Sequence, residues 1–162
     1  MAMKQLLQNF KTGELRVDDV PAPALRPGGV VVYNRHSLVS AGTERATVSF
    51  ARQSLLGKAR SRPDLVRQVV GKVRSDGLLQ TYKSVMTRLD TFNPLGYSSA
   101  GEVMEAGEGV SDVKPGDLVS CAGSEYATHA EVVYVPRNLI AKLPAGVPTR
   151  HGAFATLGAI AL

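Results

Sequence analysis

Cysteine is almost absent from this chain of 162 residues. The single thiol, at Cys121, excludes an intramolecular disulfide and any zinc site built on several thiolates. No apolar run approaches the ~18 residues that a transmembrane helix needs. The opening residues, from Met1 to Gln5, lack the apolar core of a secretory signal. We therefore expect a cytoplasmic protein with no membrane partner.

What is present is an ordinary globular composition with an uneven charge. Apolar residues make up 44% and charged residues 20%, and the length suffices for one domain with a full core. The formal net charge is +5. Residues 45–90 hold ten Lys or Arg against three Asp, a local balance of +7 that leaves −2 for the remainder. The basic character therefore belongs to one segment.

Short β-rich runs separated by Gly, Pro and Asp indicate strands that turn the corners of a barrel. Lys4–Asn9 and Leu15–Val20 flank a short turn and predict a hairpin. Val30–Ser40 predicts a long strand, and Tyr126–Val135 predicts another that closes at a proline. In residues 95–123 apolar runs alternate with glycine-rich turns, and we expect the rest of the chain to be arranged around this stretch.

A helical period replaces this pattern between the two β-rich parts. Leu65, Val66, Val69, Val70 and Val73 share one helix face, and Ser61 with Asp64 three residues later fits a capped helix start, Ser61-Arg62-Pro63-Asp64. A second helix is predicted over Leu78–Leu89, after Gly77. A weaker helix is predicted over Thr47–Leu56, ended by Gly57.

One spacing in the central stretch resembles a known family. Val103-x3-Gly107-x2-Val110, followed by Gly116-Asp117-x-Val119, resembles the N-terminal catalytic domain of medium-chain dehydrogenase/reductases. That domain is a GroES-like (chaperonin-10-like) β-barrel. The resemblance implies a mainly β fold over residues 1–152 with a helical insertion at about 46–92. It also implies that residues 153–162 start the helix leading to a missing C-terminal nucleotide-binding domain.

The resemblance also shows where this chain departs from zinc-dependent relatives. Their first metal ligand is a cysteine that here corresponds to Ala41, and their histidine and nearby acid correspond to Tyr97 and Ser98. No Cys, Asp or Glu lies near the third position, around Thr156. Catalytic zinc needs about three protein ligands and an open position. We therefore expect no zinc.

Other groups must then assist hydride transfer at a carbonyl, which requires stabilisation or protonation of the developing oxyanion. The resemblance gives Thr43 and Tyr97 as catalytic candidates, because Thr43 matches the proton-relaying hydroxyl and Tyr97 stands where a ligand would point into the cleft. It gives Gly42, Thr43 and Thr156 as cofactor-binding positions for NAD or NADP in the full-length protein. This fragment alone is expected to bind none. The alternative is structural: Tyr97 fills space, Thr43 caps a turn and Glu44 is a solvated cap.

The remaining candidates favour structural roles. His36 and His129 are assigned to strands and His151 to a loop, with no spacing typical of a metal set. Cys121 is interpreted as a small buried hydrophobic residue. Gly107-Glu108-Gly109 lacks the helix that a dinucleotide fingerprint requires, so it is interpreted as a barrel loop.

Two functions of different classes remain. The first is the substrate-side part of a zinc-independent NAD(P)-dependent oxidoreductase that acts on a small molecule. Three strings, SAGTE, GYSSAGEV and ATLGAIAL, resemble proteins fused to a sugar-type oxidoreductase, which implies sugar or sugar-nucleotide substrates. The second is a non-catalytic barrel that mediates assembly. The basic segment favours a solvated face, an interface to the missing domain or to another copy in a homo-oligomer, or an anionic substrate over nucleic acid.

Overall fold

A computed structural model describes residues 2–61 and 63–162 of the chain. The chain divides into two compact units. The sheet unit comprises the first residues through Leu6 together with Val17–Val39 and Pro94–Leu162. The helical unit comprises Leu7–Arg16 and Ser40–Asn93.

Within the described residues there are eight strands and six α-helices. The strands are β1 (Ala2–Asn9), β2 (Leu15–Pro21), β3 (Gly29–Ser37), β4 (Phe92–Pro94), β5 (Ser98–Ala106), β6 (Leu118–Ala122), β7 (Val132–Pro136) and β8 (Ile140–Lys142). The helices are α1 (Ala41–Arg52), α2 (Leu55–Ser61), α3 (Pro63–Asp76), α4 (Leu78–Leu89), α5 (Thr149–Gly152) and α6 (Ala155–Ala161). Not one of these helices combines the length and apolarity that crossing a bilayer requires.

A five-stranded antiparallel sheet, in the order β7-β3-β5-β6-β8, forms the sheet unit. Its register slips between Val31 and Val32 and again between Asn34 and His36, and such irregularities bend a strand. One face buries the main core, which consists of aliphatic side chains that alternate along neighbouring strands. These are Val30, Val32, Val103, Val113, Val119, Cys121, Ala127, Val133, Val135 and Ile140. Burial of this valine-rich face supplies the main hydrophobic stabilisation of the sheet.

The predicted N-terminal hairpin is confirmed. β1 pairs with β2 on one side and with β4 on the other, in the order β2-β1-β4. The side chain of Asn9 closes the turn, since its Oδ1 accepts hydrogen bonds from the backbone N–H groups of Lys11 (2.8 Å) and Thr12 (2.9 Å). Gly13, with φ of +76°, then donates its N–H to the Asn9 carbonyl. Asparagine favours this turn because its short amide satisfies local backbone donors.

Two helices are confirmed at the predicted places, as α3 and α4, with Gly77 between them. The prediction of a helix over Thr47–Leu56 is wrong at both ends. α1 begins at Ala41, and the Glu44 carboxylate reaches back to accept the Ser40 N–H (3.1 Å), which stabilises the first turn. Gly57 lies inside α2 and does not end α1.

The prediction that Ser61 caps α3 is also wrong. Ser61 is the last residue of α2, and its hydroxyl donates a hydrogen bond to Gln53 Oε1 (2.9 Å). Arg62, between the two helices, lies outside the described residues. Pro63 opens α3, which suits proline because the first helical N–H has no intrahelical partner.

The strand predicted over Tyr126–Val135 starts later, at Val132. Tyr126 and Ala127 instead donate their N–H groups to the Gly123 carbonyl and form a turn. His129 therefore precedes the strand. The described pairing before Val132 is an isolated β-bridge between Gln5 and Ala130. The interpretation of residues 107–109 as a barrel loop agrees with the structure, because Gly107 follows the end of β5 and donates to the Gly29 carbonyl (2.9 Å).

Candidate functional site

Tyr97 lies in the bend that leads into β5. Gly96 precedes it with φ of +98°, a left-handed conformation that glycine adopts readily. A Cβ at this position would lie only 2.7 Å from the backbone nitrogen of His129. The Tyr97 carbonyl accepts the Gly123 N–H (2.9 Å). The backbone of this bend is therefore constrained, and the Tyr97 side chain is half-exposed.

Ser98, at the position of the acid in zinc-dependent relatives, is fully buried. Its hydroxyl donates a 2.7 Å hydrogen bond to the Ala153 carbonyl. On the neighbouring strand, the Ser120 hydroxyl donates to the Gly152 carbonyl (2.8 Å). The last carbonyls of a helix have no intrahelical donor, and these two serines supply donors at the end of α5. We name Ser98 and Ser120 the serine clasp.

Gly42 and Thr43 lie in the first turn of α1, exposed to solvent. The Thr43 hydroxyl accepts a hydrogen bond from the Ser40 hydroxyl (3.3 Å). A Cβ at Gly42 would meet no atom within 4 Å, so space is open beside this turn. A first helical turn presents backbone N–H groups that lack intrahelical acceptors. The Glu44 carboxylate lies in the same turn and accepts the Ser40 N–H.

Thr156 lies on α6 and is half-buried. This helix packs against β5 and β6, so Thr156 belongs to the sheet unit together with Tyr97 and Ser98. Gly42 and Thr43 belong to the helical unit. In residues 2–61 and 63–162, the structure contains no cluster of three or more His, Cys, Asp or Glu side chains suited to a metal ion.

Two histidines of the sheet unit pair with hydroxyl groups. His129 Nδ1 lies 2.8 Å from Ser37 Oγ, and His36 Nδ1 lies 2.9 Å from Thr149 Oγ1. Both histidines line an open groove of about 280 Å³. Sequence reasoning missed these pairs because each joins residues far apart in the chain. The third histidine, His151, lies on α5 and not in the predicted loop.

Cys121 is buried on β6, as predicted. Burial raises the pKa of its thiol to about 12. The thiolate is the nucleophilic form of cysteine. A thiol that stays protonated and has no access to solvent is therefore a packing residue.

Comparison with known proteins rests on structure, since no family model and no curated protein matches the sequence. Galactitol-1-phosphate dehydrogenase from Escherichia coli aligns with a TM-score of 0.63 at 18% identity and covers 94% of this chain. The quinone oxidoreductase from Coxiella burnetii aligns at 0.59 and 18%, covering 92%. A structure described as a zinc-dependent alcohol dehydrogenase protein from Rhizobium etli CFN 42 aligns at 0.60 and 19%, covering 94%.

The chain spans about two fifths of the length of these structures, namely 41%, 39% and 36% of each. Identities this low carry information on fold alone. The mainly β architecture and its bent antiparallel sheet agree with that likeness. The predicted fold class is confirmed: the chain has a mainly β, GroES-like (chaperonin-10-like) barrel fold.

Proposed function

We propose that this chain is the substrate-side, N-terminal portion of a zinc-independent, NAD(P)-dependent alcohol dehydrogenase-like oxidoreductase. The observation that carries the proposal is the barrel fold together with the state of its metal-ligand positions. Ala41 offers no donor atom, and the Ser98 hydroxyl is committed to the Ala153 carbonyl. We further propose residues 1–152 as the barrel domain with a helical insertion at about 46–92. Residues 153–162 would begin the connection to a nucleotide-binding domain.

Zinc independence rests on the residues themselves, because the structural neighbours include a protein described as zinc-dependent. Metal analysis of the purified chain after dialysis against zinc tests this part of the proposal. We expect no stoichiometric zinc, since tetrahedral sites need about three protein ligands. One tightly held zinc ion per chain would contradict it.

A bound nicotinamide cofactor would supply or accept the hydride. The chain's own contribution would be to stabilise the carbonyl oxygen as negative charge develops on it. The Tyr97 phenol is a donor on a fixed backbone, and the Thr43 hydroxyl lies at an accessible helix start. Gly42, Thr43 and Thr156 are proposed as contacts to the cofactor. We propose sugars or sugar nucleotides as the substrate class, because the strings SAGTE, GYSSAGEV and ATLGAIAL resemble those of proteins fused to a sugar-type oxidoreductase. We propose the cytoplasm as the compartment.

The decisive test is a titration of NADH and NADPH against the protein encoded by the whole reading frame, followed by nicotinamide fluorescence. Saturable binding of either cofactor supports the oxidoreductase proposal. Binding of neither contradicts it and favours the second candidate, a non-catalytic barrel that mediates assembly. The serine clasp is compatible with that candidate, because the Ser98 and Ser120 hydroxyls bind the end of α5 and are not available for chemistry.

Two substitutions test the catalytic assignments once turnover is measured. Tyr97→Phe and Thr43→Val each remove one hydroxyl and nearly preserve side-chain volume. Loss of a proton donor lowers kcat by about 10²–10⁴-fold. Tyr33→Phe, on β3, is the matched control and should leave kcat unchanged. An unchanged kcat in both test variants would exclude these hydroxyls from the reaction.

A further inference from the structure

The first turns of α4 expose a set of apolar side chains. Leu78, Leu79 and Tyr82, in the first turns of α4, are 76%, 70% and 61% exposed. Thr81, on a different side of the same helix, is buried. The exposed apolar side chains of α4 are confined to its first turns, because those farther along the helix are half-buried, namely Val85, Met86 and Leu89.

α3 also exposes apolar side chains, at two positions one helical turn apart. Val66 and Val70 are exposed, whereas Val69 and Val73 are half-buried. The two helices pack against each other within the helical unit. We name the exposed set the apolar patch; its members are Val66, Val70, Leu78, Leu79 and Tyr82. Several large apolar side chains exposed on two packed helices mark an interaction site more often than an isolated exposed leucine does.

Basic side chains border the apolar patch. Arg67 lies three residues before Val70 and Arg74 four residues after it, so both neighbour this valine on the surface of α3. Lys83 lies one turn beyond Leu79 on α4. All three basic residues are exposed, and the sequence of α4 contains no Asp or Glu. The surrounding segment, residues 45–90, carries the local charge of +7.

We infer that the apolar patch and its basic border form a peripheral docking site for an anionic lipid surface. Helices with apolar side chains on one face and Lys or Arg beside them lie in the membrane interface, with the apolar residues in the acyl boundary. The basic groups would contact lipid phosphates, since long side chains can extend to the headgroup level. This contact is independent of the proposed oxidoreductase function and differs from a transmembrane span. It departs from the sequence-based expectation of no membrane partner, because that expectation considered spanning segments and secretory signals alone.

The chemistry favours lipid over nucleic acid. Phosphate neutralisation would use the arginines and lysines but would leave three large apolar side chains in water. Bases stack on aromatic rings, and the patch offers only Tyr82. A lipid surface satisfies both components at once, because it combines negative charge with an apolar layer.

The absence of tryptophan from the chain allows a clean optical test. Leu79→Trp places a single indole in the apolar patch, and Val17→Trp places one at an exposed position on β2 as the control. Both variants are mixed with phosphatidylcholine vesicles, with or without phosphatidylserine. We expect a blue shift of emission for Leu79→Trp with the phosphatidylserine vesicles alone, and no shift for Val17→Trp with either.

Vesicle co-sedimentation then separates the two components of the site. Leu78→Ser with Tyr82→Ser, and separately Arg74→Gln with Lys83→Gln, should each weaken binding by at least about tenfold. Lys114→Gln with Arg150→Gln removes the same charge from exposed positions in the sheet unit and should leave binding nearly unchanged. Circular dichroism confirms that each variant stays folded.

The alternatives appear as distinct results. Failure of the chain to sediment with phosphatidylserine vesicles overturns the inference. Binding to duplex DNA or RNA without binding to vesicles overturns it in favour of nucleic acid. The chain could instead self-associate without binding vesicles. If Leu78→Ser with Tyr82→Ser abolishes that self-association, the apolar patch is an interface with a second copy and the inference is overturned. Equal loss of binding in the Lys114→Gln with Arg150→Gln control also overturns it, because attraction would then depend on net charge alone.

Discussion

At Ser98 one hydroxyl group connects strand β5 to the turn that follows α5. The hydrogen bond to the Ala153 carbonyl is buried, and Ser120 makes the equivalent bond to Gly152. A buried carbonyl that loses its donor has no access to water as a substitute. The serine clasp therefore stabilises the packing of α5 and the following turn against β5 and β6.

Ser98→Ala should lower the free energy of unfolding by about 1–3 kcal/mol, because it leaves the Ala153 carbonyl buried without a donor. Urea denaturation followed by circular dichroism measures the change. Ser124→Ala, in the exposed turn after β6, is the control and should lie within about 0.5 kcal/mol of the parent. A similarly small effect of Ser98→Ala would show that the clasp contributes nothing to stability.

Cys121 should make the protein less stable in alkali. The folded-state pKa, about 12, lies above the ordinary value of 9.0. The unfolded chain therefore loses the thiol proton first, and stability is lost as pH rises above about 9. Urea midpoints from neutral pH to about pH 11 should fall more steeply for the parent than for Cys121→Ala. Parallel slopes would contradict the burial argument.

Among the larger elements, the turn that carries Tyr97 depends on Gly96. This glycine combines a left-handed φ of +98° with close approach of the His129 backbone. Gly116, before β6, has a similar φ of +90° but open space where a side chain would project. Substitutions at these two glycines therefore distinguish the cost of a left-handed backbone, present at both, from the cost of a steric clash, present at Gly96 alone.

Gly116→Ala should cost about 1–2 kcal/mol, the strain of a left-handed L-residue. Gly96→Ala should cost clearly more, because the new methyl group would also collide with the His129 nitrogen, 2.7 Å away. Thermal and urea unfolding of the two variants measure the difference. Equal losses would mean that the Gly96 turn relaxes to accommodate the methyl group.

The sequence predicted those elements whose signals are local. Apolar periodicity located α3 and α4, and the residues around Asn9 located the hairpin turn. The start of α1 was missed because a Gly-Thr pair disfavours helix locally, while the Glu44 carboxylate stabilises the turn by reaching back to Ser40. The pair of His129 with Ser37 could not be predicted, since nothing in either neighbourhood specifies the other.

In the molecule as a whole, the sheet unit and the helical unit differ in how much apolar surface they bury. Val103 and Val119 of the sheet are almost fully buried, whereas Val70 and Tyr82 of the helices are exposed. Local opening is easiest where few apolar contacts are lost. The chain should therefore open first in α3 and α4.

Hydrogen exchange measured by mass spectrometry tests this difference. Amides in β5 and β6 should exchange more than about tenfold slower than those in α3 and α4, after correction for intrinsic rates. Phosphatidylserine vesicles should slow exchange in α3 and α4 selectively if those helices dock on lipid. Uniform protection across both units would mean that the chain opens only as one cooperative whole.

The serine clasp limits which side chains residue 98 can hold. The Ala153 carbonyl oxygen is an acceptor, and so is an ionised carboxylate, so an acidic residue at position 98 would face it without a proton to share. A small side chain that donates a hydrogen bond is therefore what this end of β5 requires, and threonine is the substitution most compatible with the chain path after α5.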